Sequence, residues 1–173
     1  LVLTDVRVPE AARLGAEGEG FRVAMNSLDK GRVTVGAGCV GIIRGCLEAV
    51  VGYARERTQF GRPLASFQLI QDMIAEMSVE ADAARLLVWR AADLIERGQP
   101  CGVAASKAKY FASEAAVRAS SLAVQAFGGY GYIDEYPVQK YLRDARVMTL
   151  YEGTSQVQKL LIGRAETGIS AFT

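Results

Sequence analysis

Histidine is absent from all 173 residues. The side chain that most often carries protons near neutral pH is therefore missing. Any proton transfer falls to a carboxylate, a lysine or a tyrosine. Charge of one sign is also lacking: 20 basic residues face 19 acidic ones, for a net charge of +1. That balance gives no broad field for nucleic acid or an anionic membrane. No unbroken apolar run reaches the roughly 18 residues of a membrane span. The opening Leu-Val-Leu-Thr-Asp-Val-Arg-Val-Pro has neither the basic leader nor the long apolar core of a signal peptide. It has no initiator Met and starts in mid-strand pattern, so we expect a piece of a longer protein. Cysteine is sparse, at Cys39, Cys46 and Cys101, and an odd, low count suits a reducing compartment. If Cys39 and Cys46 share a helix they lie about 10 Å apart along it, too far for a disulfide. Without histidine or a CxxC pair, no metal site is expected.

What is present is apolar and periodic. Half the residues are hydrophobic, enough for one domain with a real core. Residues 1–8 alternate and are β-branched, with Pro9 as a stop, which predicts one short strand. The Gly- and Glu-rich stretch 10–19 reads as loop. A glycine-laden helix is predicted from about Phe21 to Arg57, broken by Gly61 and Pro63. Ile70, Ile74, Met77, Ala81, Ala84, Val88, Ala91 and Ile95 then alternate spacings of four and three, a helical seam with Ser66 as its expected N-cap. Gly98 and Pro100 stop it. A third helix, Val103 to Phe127, carries Ala104, Ala108, Phe111, Ala115, Leu122 and Ala126 on its seam and ends at Gly128-Gly129. A fourth starts at Pro137 and runs to about Met148. A last one is capped by Thr154 or Ser155 and passes through Val157, Leu160, Leu161 and Arg164. Long helices joined by short connections pack nearly antiparallel. The expected fold is therefore all-α: an up-and-down four-helix bundle over 20–173 with a short extra C-terminal helix. One residual β-strand and a linker over 1–19 precede it.

Several motifs could carry chemistry. Gly36-Ala-Gly38-Cys-Val-Gly41 matches the dinucleotide fingerprint GxGxxG, with Glu56 twenty residues on. The context rejects it: Tyr53-Ala-Arg-Glu-Arg57 is no buried strand, and no β/α alternation follows. These glycines are better read as letting another helix or a ligand approach the backbone. Arg57-Thr-Gln-Phe-Gly-Arg62 leaves a helix and turns. It is either a basic cap on the helix dipole or an arginine fork for phosphate, with Phe60 as a packing surface. Gln125-Ala126-Phe127-Gly128-Gly129-Tyr130-Gly131-Tyr132 is a Gly-rich helix stop that also suits an aromatic ligand against exposed backbone. Arg143-Asp144-Ala145-Arg146 reads as an ion pair on a helix and is assigned no chemistry. Tyr151-Glu152-Gly153-Thr154-Ser155-Gln156 places one carboxylate in a break between helices, where backbone holds it and a ligand can desolvate it. That is the setting of a general base. Equally, an acid before a helix simply favours the dipole.

Asp29-x-x-Arg32, Arg57-Thr-Gln-Phe-Gly-Arg62, Phe67-Gln68, Gln125-Ala-Phe-Gly-Gly129, Arg143-Asp144 and Tyr151-Glu-Gly-Thr-Ser-Gln156 occur together in an order that resembles the C-terminal part of the acyl-CoA dehydrogenases over nearly the whole chain. In that resemblance Leu3 to Pro9 looks like the last strand of the family's middle β-domain. The resemblance implies FAD held non-covalently, largely across a subunit interface, in a homo-oligomer built as a dimer of dimers. It implies that Arg57 meets the FAD pyrophosphate of a neighbouring subunit, and that Phe60, Gln68 and Gln125, Ala126, Phe127, Gly128 and Gly129 belong to that same cofactor site. Thr154, Ser155 and Gln156 would line the FAD of their own subunit. Asp29, Arg32, Tyr151 and Gly153 would face an acyl-CoA substrate. Glu152 would be the base that removes the α-proton while the flavin takes hydride from the β-carbon, giving a trans-2-enoyl-CoA. Enolate stabilisation would come from the base's own backbone N–H and a ribityl hydroxyl of the flavin. Some relatives carry the base just before the arginine of Asp-x-x-Arg; here Gly31 stands there, so Glu152 has no competitor. The implied electron acceptor is an electron-transfer flavoprotein. The implied compartment is the cytoplasm of a bacterium or the mitochondrial matrix of a eukaryote. The same residues also suit an acyl-CoA oxidase-type flavoprotein, or a helical assembly module without activity of its own.

Overall fold

A computed structural model describes residues 1–172. Its helices are α1 (Gly20–Glu56), α2 (Gln68–Glu96), α3 (Gly102–Phe127), α4 (Val138–Met148) and α5 (Ser155–Thr167). Two strands of two residues, β1 (Thr58–Gln59) and β2 (Arg62–Pro63), pair antiparallel as a hairpin between α1 and α2. The chain is all-α, with α1 to α4 forming the bundle and α5 the extra C-terminal helix. α3 is its axis and packs against each of the other four helices.

Small side chains make that central position tolerable. Ala105, Ala108, Ala112, Ala115, Ala116, Ala119 and Ala123 are fully buried, as are Ser106, Ser113 and Ser120. Ser113 and Ser120 turn their hydroxyls back onto the carbonyls of Tyr110 and Val117, at 3.2 and 3.0 Å. Burial on both sides is thus met without orphaned donors. The buried face of α3 is broader than the expected seam, and Ala104, Phe111 and Leu122 lie at its half-buried margin. Along α2 the expected seam does face the core: Met77, Ala81, Ala84, Val88 and Ala91 are buried, while Ile70, Ile74 and Ile95 pack at its edge.

The glycines of the fingerprint-like motif all lie inside α1. Gly36 meets the close-approach expectation: a Cβ there would stand 3.0 Å from Val88 Cγ2 and 3.7 Å from the Ala108 carbonyl carbon. Gly38 and Gly41 have nothing within 4 Å, so close packing is not their reason. α1 also contains an 18-residue window of mean hydropathy 1.6, enough by length and composition to cross a membrane. Its Val33, Val40, Ile43 and Val50 face the bundle core, which is how a core helix reaches such a value.

Two local expectations differ from the structure. Residues 1–8 form no strand, and Leu1, Val2, Leu3, Val6 and Val8 are exposed. A strand exists only through ladder hydrogen bonds to a neighbour, and no described segment runs beside this one. Ser66 is not the N-cap of α2. It ends a 3₁₀ turn, Leu64–Ser66, and donates to the Pro63 carbonyl at 2.7 Å, so Phe67 takes the cap position.

Candidate functional site

The connection from α4 to α5 is short and backbone-determined. The Leu150 amide donates to Val147 O (2.9 Å), and the Ser155 amide reaches back to Thr149 O (3.0 Å), closing the loop. Between them, Glu152 and Gly153 both take left-handed backbone, with φ of 55° and 88°. For Glu152 that conformation costs about 1–2 kcal/mol and persists only when its surroundings over-determine it. The surroundings do so. Gln158 Nε2 donates to the carbonyls of Glu152 (3.0 Å) and Gly153 (3.1 Å), and Lys109 Nζ donates to Gly153 O at 2.8 Å. Thr154 caps α5, its Oγ1 accepting from the Val157 amide at 3.3 Å. Ser155 is buried, and its hydroxyl donates to Glu114. Gln156 is exposed.

The Glu152 carboxylate points back onto α1. Its Oε2 is buried and has no hydrogen-bond partner. It lies where a side chain of residue 31 would begin: a Cβ on Gly31 would be 2.5 Å from Oε2. On the flanks of Gly31, Arg32 pairs with Asp29 at 2.8 Å. Arg32 is 9% exposed, and its Nε is likewise buried without a partner. Four buried side-chain polar atoms lack partners among the described residues, and three of them, on Arg32, Glu152 and Gln158, are in this neighbourhood. Orphaned polar atoms are rare in folded proteins. Here three of them, of both charge signs, gather in one place. Beside it, Asp29 and Arg32 line an open cleft of about 590 Å³ with Leu161 and Arg164 of α5. Glu152, Tyr151 and Gly153 are not part of that cleft's lining. The Tyr151 ring is exposed, and its phenol is pushed above the ordinary range by partial burial and then by Cys39, Glu152 and Asp144.

A second constellation sits at the C-terminal end of α1. Arg57 terminates that helix, and its guanidinium lies 5.4 Å from the Tyr130 ring centroid. It shares an open pocket of about 520 Å³ with Gln125, Ala126, Phe127, Gly128 and Gly129. Gly128 turns the chain with a φ of 62°. The pocket floor is fixed by Tyr53 stacked on Phe127 (4.0 Å between centroids), with Tyr136 edge-on to both. Arg57 thus serves as cap and as open cation at once. Phe60 and Gln68 are elsewhere. Phe60 is 91% exposed at the hairpin tip with a φ of 52°, edge-on to Phe67. Gln68 shares a separate depression with Arg62, Ser66 and Phe67. The structure therefore unites Arg57 with the Gln125–Gly129 loop, and Asp29 and Arg32 with Glu152, but sets Phe60 and Gln68 apart from both.

Over residues 18–167 the chain matches the family model described as acyl-CoA dehydrogenase, C-terminal domain. The chain belongs to the acyl-CoA dehydrogenase family. It is 51% identical to an acyl-CoA dehydrogenase of Bacillus subtilis (strain 168), over 95% of this chain and 43% of that protein. It is 46% identical to a caffeyl-CoA reductase–Etf complex subunit of Acetobacterium woodii, over 94% of this chain and 43% of that protein. Butyryl-CoA dehydrogenase from Megasphaera elsdenii superimposes with a TM-score of 0.93 at 46% identity, covering 95% of this chain and 43% of that one. The chain thus spans less than half the length of the acyl-CoA dehydrogenase relatives it matches.

Three residues of the Glu152 neighbourhood were not singled out from sequence: Lys109, Glu114 and Gln158. Lys109 is fully buried on α3. Burial draws its ammonium below the ordinary lysine range; Cys39, Glu114 and Glu152 oppose that fall, and Arg32 adds to it. A signal for it exists. Lys109 lies four residues after Ala105 and three before Ala112, on the stripe that carries small apolar residues. A lysine on such a stripe is a buried charge in need of a partner. Gln158 is similarly visible one turn after buried Ser155, on the inner face of α5.

Proposed function

We propose that this chain supplies the proton-abstracting base and two partial ligand sites of an FAD-dependent acyl-CoA dehydrogenase. The reaction is the α,β-dehydrogenation of a fatty acyl-CoA thioester to a trans-2-enoyl-CoA. The observation that carries the assignment is the Glu152 carboxylate: held by left-handed backbone, with Oε2 buried and unpartnered. A carboxylate so placed loses its remaining hydration when a thioester covers it. Loss of water disfavours its charged form and raises its basicity toward the α-proton. As the carboxylate takes that proton, the Cα–H electron pair becomes part of the new double bond.

The residues present fit the cofactor. Arg57 pairs with no carboxylate among the described residues and opens onto a pocket with the Gly128-Gly129 backbone, a donor set suited to a diphosphate. Thr154 and Gln156 begin α5, whose N-terminal amides favour an electron-rich partner. Ser155 would contribute backbone, since its hydroxyl is committed to Glu114. FAD, when bound, supplies the acceptor for the hydride leaving the β-carbon. Asp29 and Arg32 line the neighbouring cleft and would fix the acyl-CoA.

The two partial sites lie far apart along α1, one a third of the way along it and one at its C-terminal end. Arg32 and Arg57 are 25 residues apart along it, about 38 Å at 1.5 Å per residue. That separation supports sharing of each cofactor between subunits of a homo-oligomer, and absence of turnover by this chain alone. The likeness to a subunit of an Etf complex supports an electron-transfer flavoprotein as acceptor. Oxygen uptake on adding acyl-CoA would indicate oxidase chemistry instead. The decisive experiment is Glu152→Gln in the full-length protein. The variant should retain its flavin spectrum and lose turnover by about 10⁴-fold, the upper range for a removed general base. Turnover close to the wild-type value would refute the assignment.

A further inference from the structure

We propose that Lys109 is a positioning residue for this base: from the middle of α3, its ammonium grips the Gly153 carbonyl and locks the left-handed turn that aims the Glu152 carboxylate. The inference rests on Glu152 being the base.

Lys109 is out of place by every packing criterion. It is fully buried, with buried Ala105, Ala108 and Ala112 around it on the same helix. An apolar side chain of similar length would fill the space without desolvating a charge. An ammonium carries three donors, and the protein partner it finds is the carbonyl of Gly153, at 2.8 Å. That carbonyl is the one following the strained residue. Glu152 has a φ of 55°, and Gly153 follows at 88°. A single non-glycine residue in this region relaxes toward ordinary backbone unless contacts on both sides forbid it.

Two contacts do so, from two different helices. From α5, Gln158 spans both carbonyls through Nε2. From α3, Lys109 binds only Gly153 O, through a charge-assisted bond that is stronger than a neutral one. Relaxation of the left-handed turn at Glu152 and Gly153 toward ordinary backbone would swing the Gly153–Thr154 peptide, which carries that oxygen, off the ammonium and leave a buried cation unpaired. The groups that face Lys109 electrostatically are Cys39 and Arg32 from α1, Glu114 from α3, and Glu152 from the loop. The cation thus sits among two carboxylates and one guanidinium. Lys109 touches no reacting atom in this arrangement; it acts through the loop.

The test uses full-length, flavin-loaded protein with Lys109→Met, and measures single-turnover flavin reduction by butyryl-CoA per bound flavin. Positioning predicts a fall of at least 30-fold in the limiting reduction rate, with the half-saturating butyryl-CoA concentration changed less than threefold. Amide hydrogen exchange should quicken over residues 149–157 and stay unchanged over α1 and α2. A purely structural role would lower the melting temperature and flavin content but leave the rate per bound flavin intact, and that result overturns the proposal. If Lys109→Met does not load flavin, Lys109→Gln, which retains a donor without the charge, is read in the same way. Failure of both to load makes Lys109 a folding residue and also overturns it. A parallel Glu152→Gln sample separates the two claims. If that sample turns over, the base assignment falls. If it is inactive while Lys109→Met reduces its flavin within threefold of wild type, only the positioning role falls.

Discussion

Gly153→Ala probes the Glu152 turn most directly, because two independent costs converge on one methyl group. The first is conformational. At a φ of 88° an alanine pays about 1–2 kcal/mol that glycine does not. The second is steric. The new Cβ would stand 2.5 Å from Gln158 Nε2, against the 3.4 Å at which ordinary contact begins, so the amide must retreat by about 0.9 Å. Its bonds to Glu152 O and Gly153 O, now 3.0 and 3.1 Å, would stretch beyond hydrogen-bonding distance. Gln158 is fully buried, so no water replaces them. Two such losses add about 1–3 kcal/mol. Against this, the unfolded chain gives back roughly 0.4–1 kcal/mol through its lost glycine freedom. The net is a destabilisation of about 2–4 kcal/mol. In scanning calorimetry of the full-length holoprotein, the melting temperature should drop by about 5 °C or more. Flavin reduction by acyl-CoA should slow by about 10²-fold, the cost of misplacing a reacting group by an ångström. Gly163→Ala is the matched control: it lies in α5, the helix that carries Gln158, a Cβ there meets nothing within 4 Å, and helix propensity predicts unchanged or slightly raised stability. Equal melting temperatures for Gly153→Ala and wild type, with equal reduction rates, would refute both the left-handed geometry and the Gln158 clamp.

Two further perturbations test the frame around the site. Gly131→Ala would drive a Cβ to 2.6 Å from Val124 O and 2.9 Å from Val124 Cα; these are backbone atoms of α3 that cannot swing aside. A loss of about 1–3 kcal/mol is expected, together with reduced flavin content, since the same turn carries the Tyr130 face beside Arg57. Calorimetry and flavin absorbance check it, and a stable, fully loaded variant would count against the packing described. Burial pushes the thiols of Cys39 and Cys46 from 9.0 up to about 12. A group whose pKa rises on folding stabilises fully below its unfolded value and loses that contribution as pH climbs to the folded one. Each thiol therefore contributes up to about 4 kcal/mol that is present below pH 9 and disappears between pH 9 and 12. Lys109, lowered on folding, acts in the opposite sense there, but it is common to wild type and Cys46→Val. Denaturant midpoints from pH 8 to 11 should fall less steeply in Cys46→Val; parallel curves would refute the burial effect.

The helices were legible because their signals are local. The four-and-three spacing of α2 and the glycine stops read directly onto the structure, and Thr154 is the cap of α5 as its position suggested. Glu152 was legible as a carboxylate in a helix break, but its orientation was not. What directs it to α1 is the missing side chain at Gly31, 121 positions earlier in the chain. Ser66 misled for a similar reason: Pro63 bends the approach to α2, and its carbonyl captures the hydroxyl before it can cap. The strand pattern of residues 1–8 is real as a pattern, yet pairing is a property of two segments, and one segment cannot declare its partner. Lys109 carried a signal, a charge on the buried stripe, but its partner did not show. Among so many alanines and serines, its neighbours suggested a packing helix, and the carbonyl it serves lies 44 residues away.

One physical circumstance ties these observations together. α1 is a single helix of 37 residues that carries one polar constellation around Asp29–Arg32 and another at its C-terminal end. A straight helix fixes both the distance between its ends and the angle between the faces they present. Neither constellation is closed by the described residues: Oε2 of Glu152 and Nε of Arg32 lack partners in one, and Arg57 opens on an unfilled pocket in the other. Side-chain rearrangement within the chain cannot bring Arg57 to Glu152 across about 38 Å of packed helix. Under the proposed function, what completes each of them comes from outside this segment, and the bundle's rigidity becomes functional. By holding α1 on a core of alanines, α3 fixes the distance between the two partial sites, and in the role proposed for Lys109 the same helix also fixes the turn that bears Glu152.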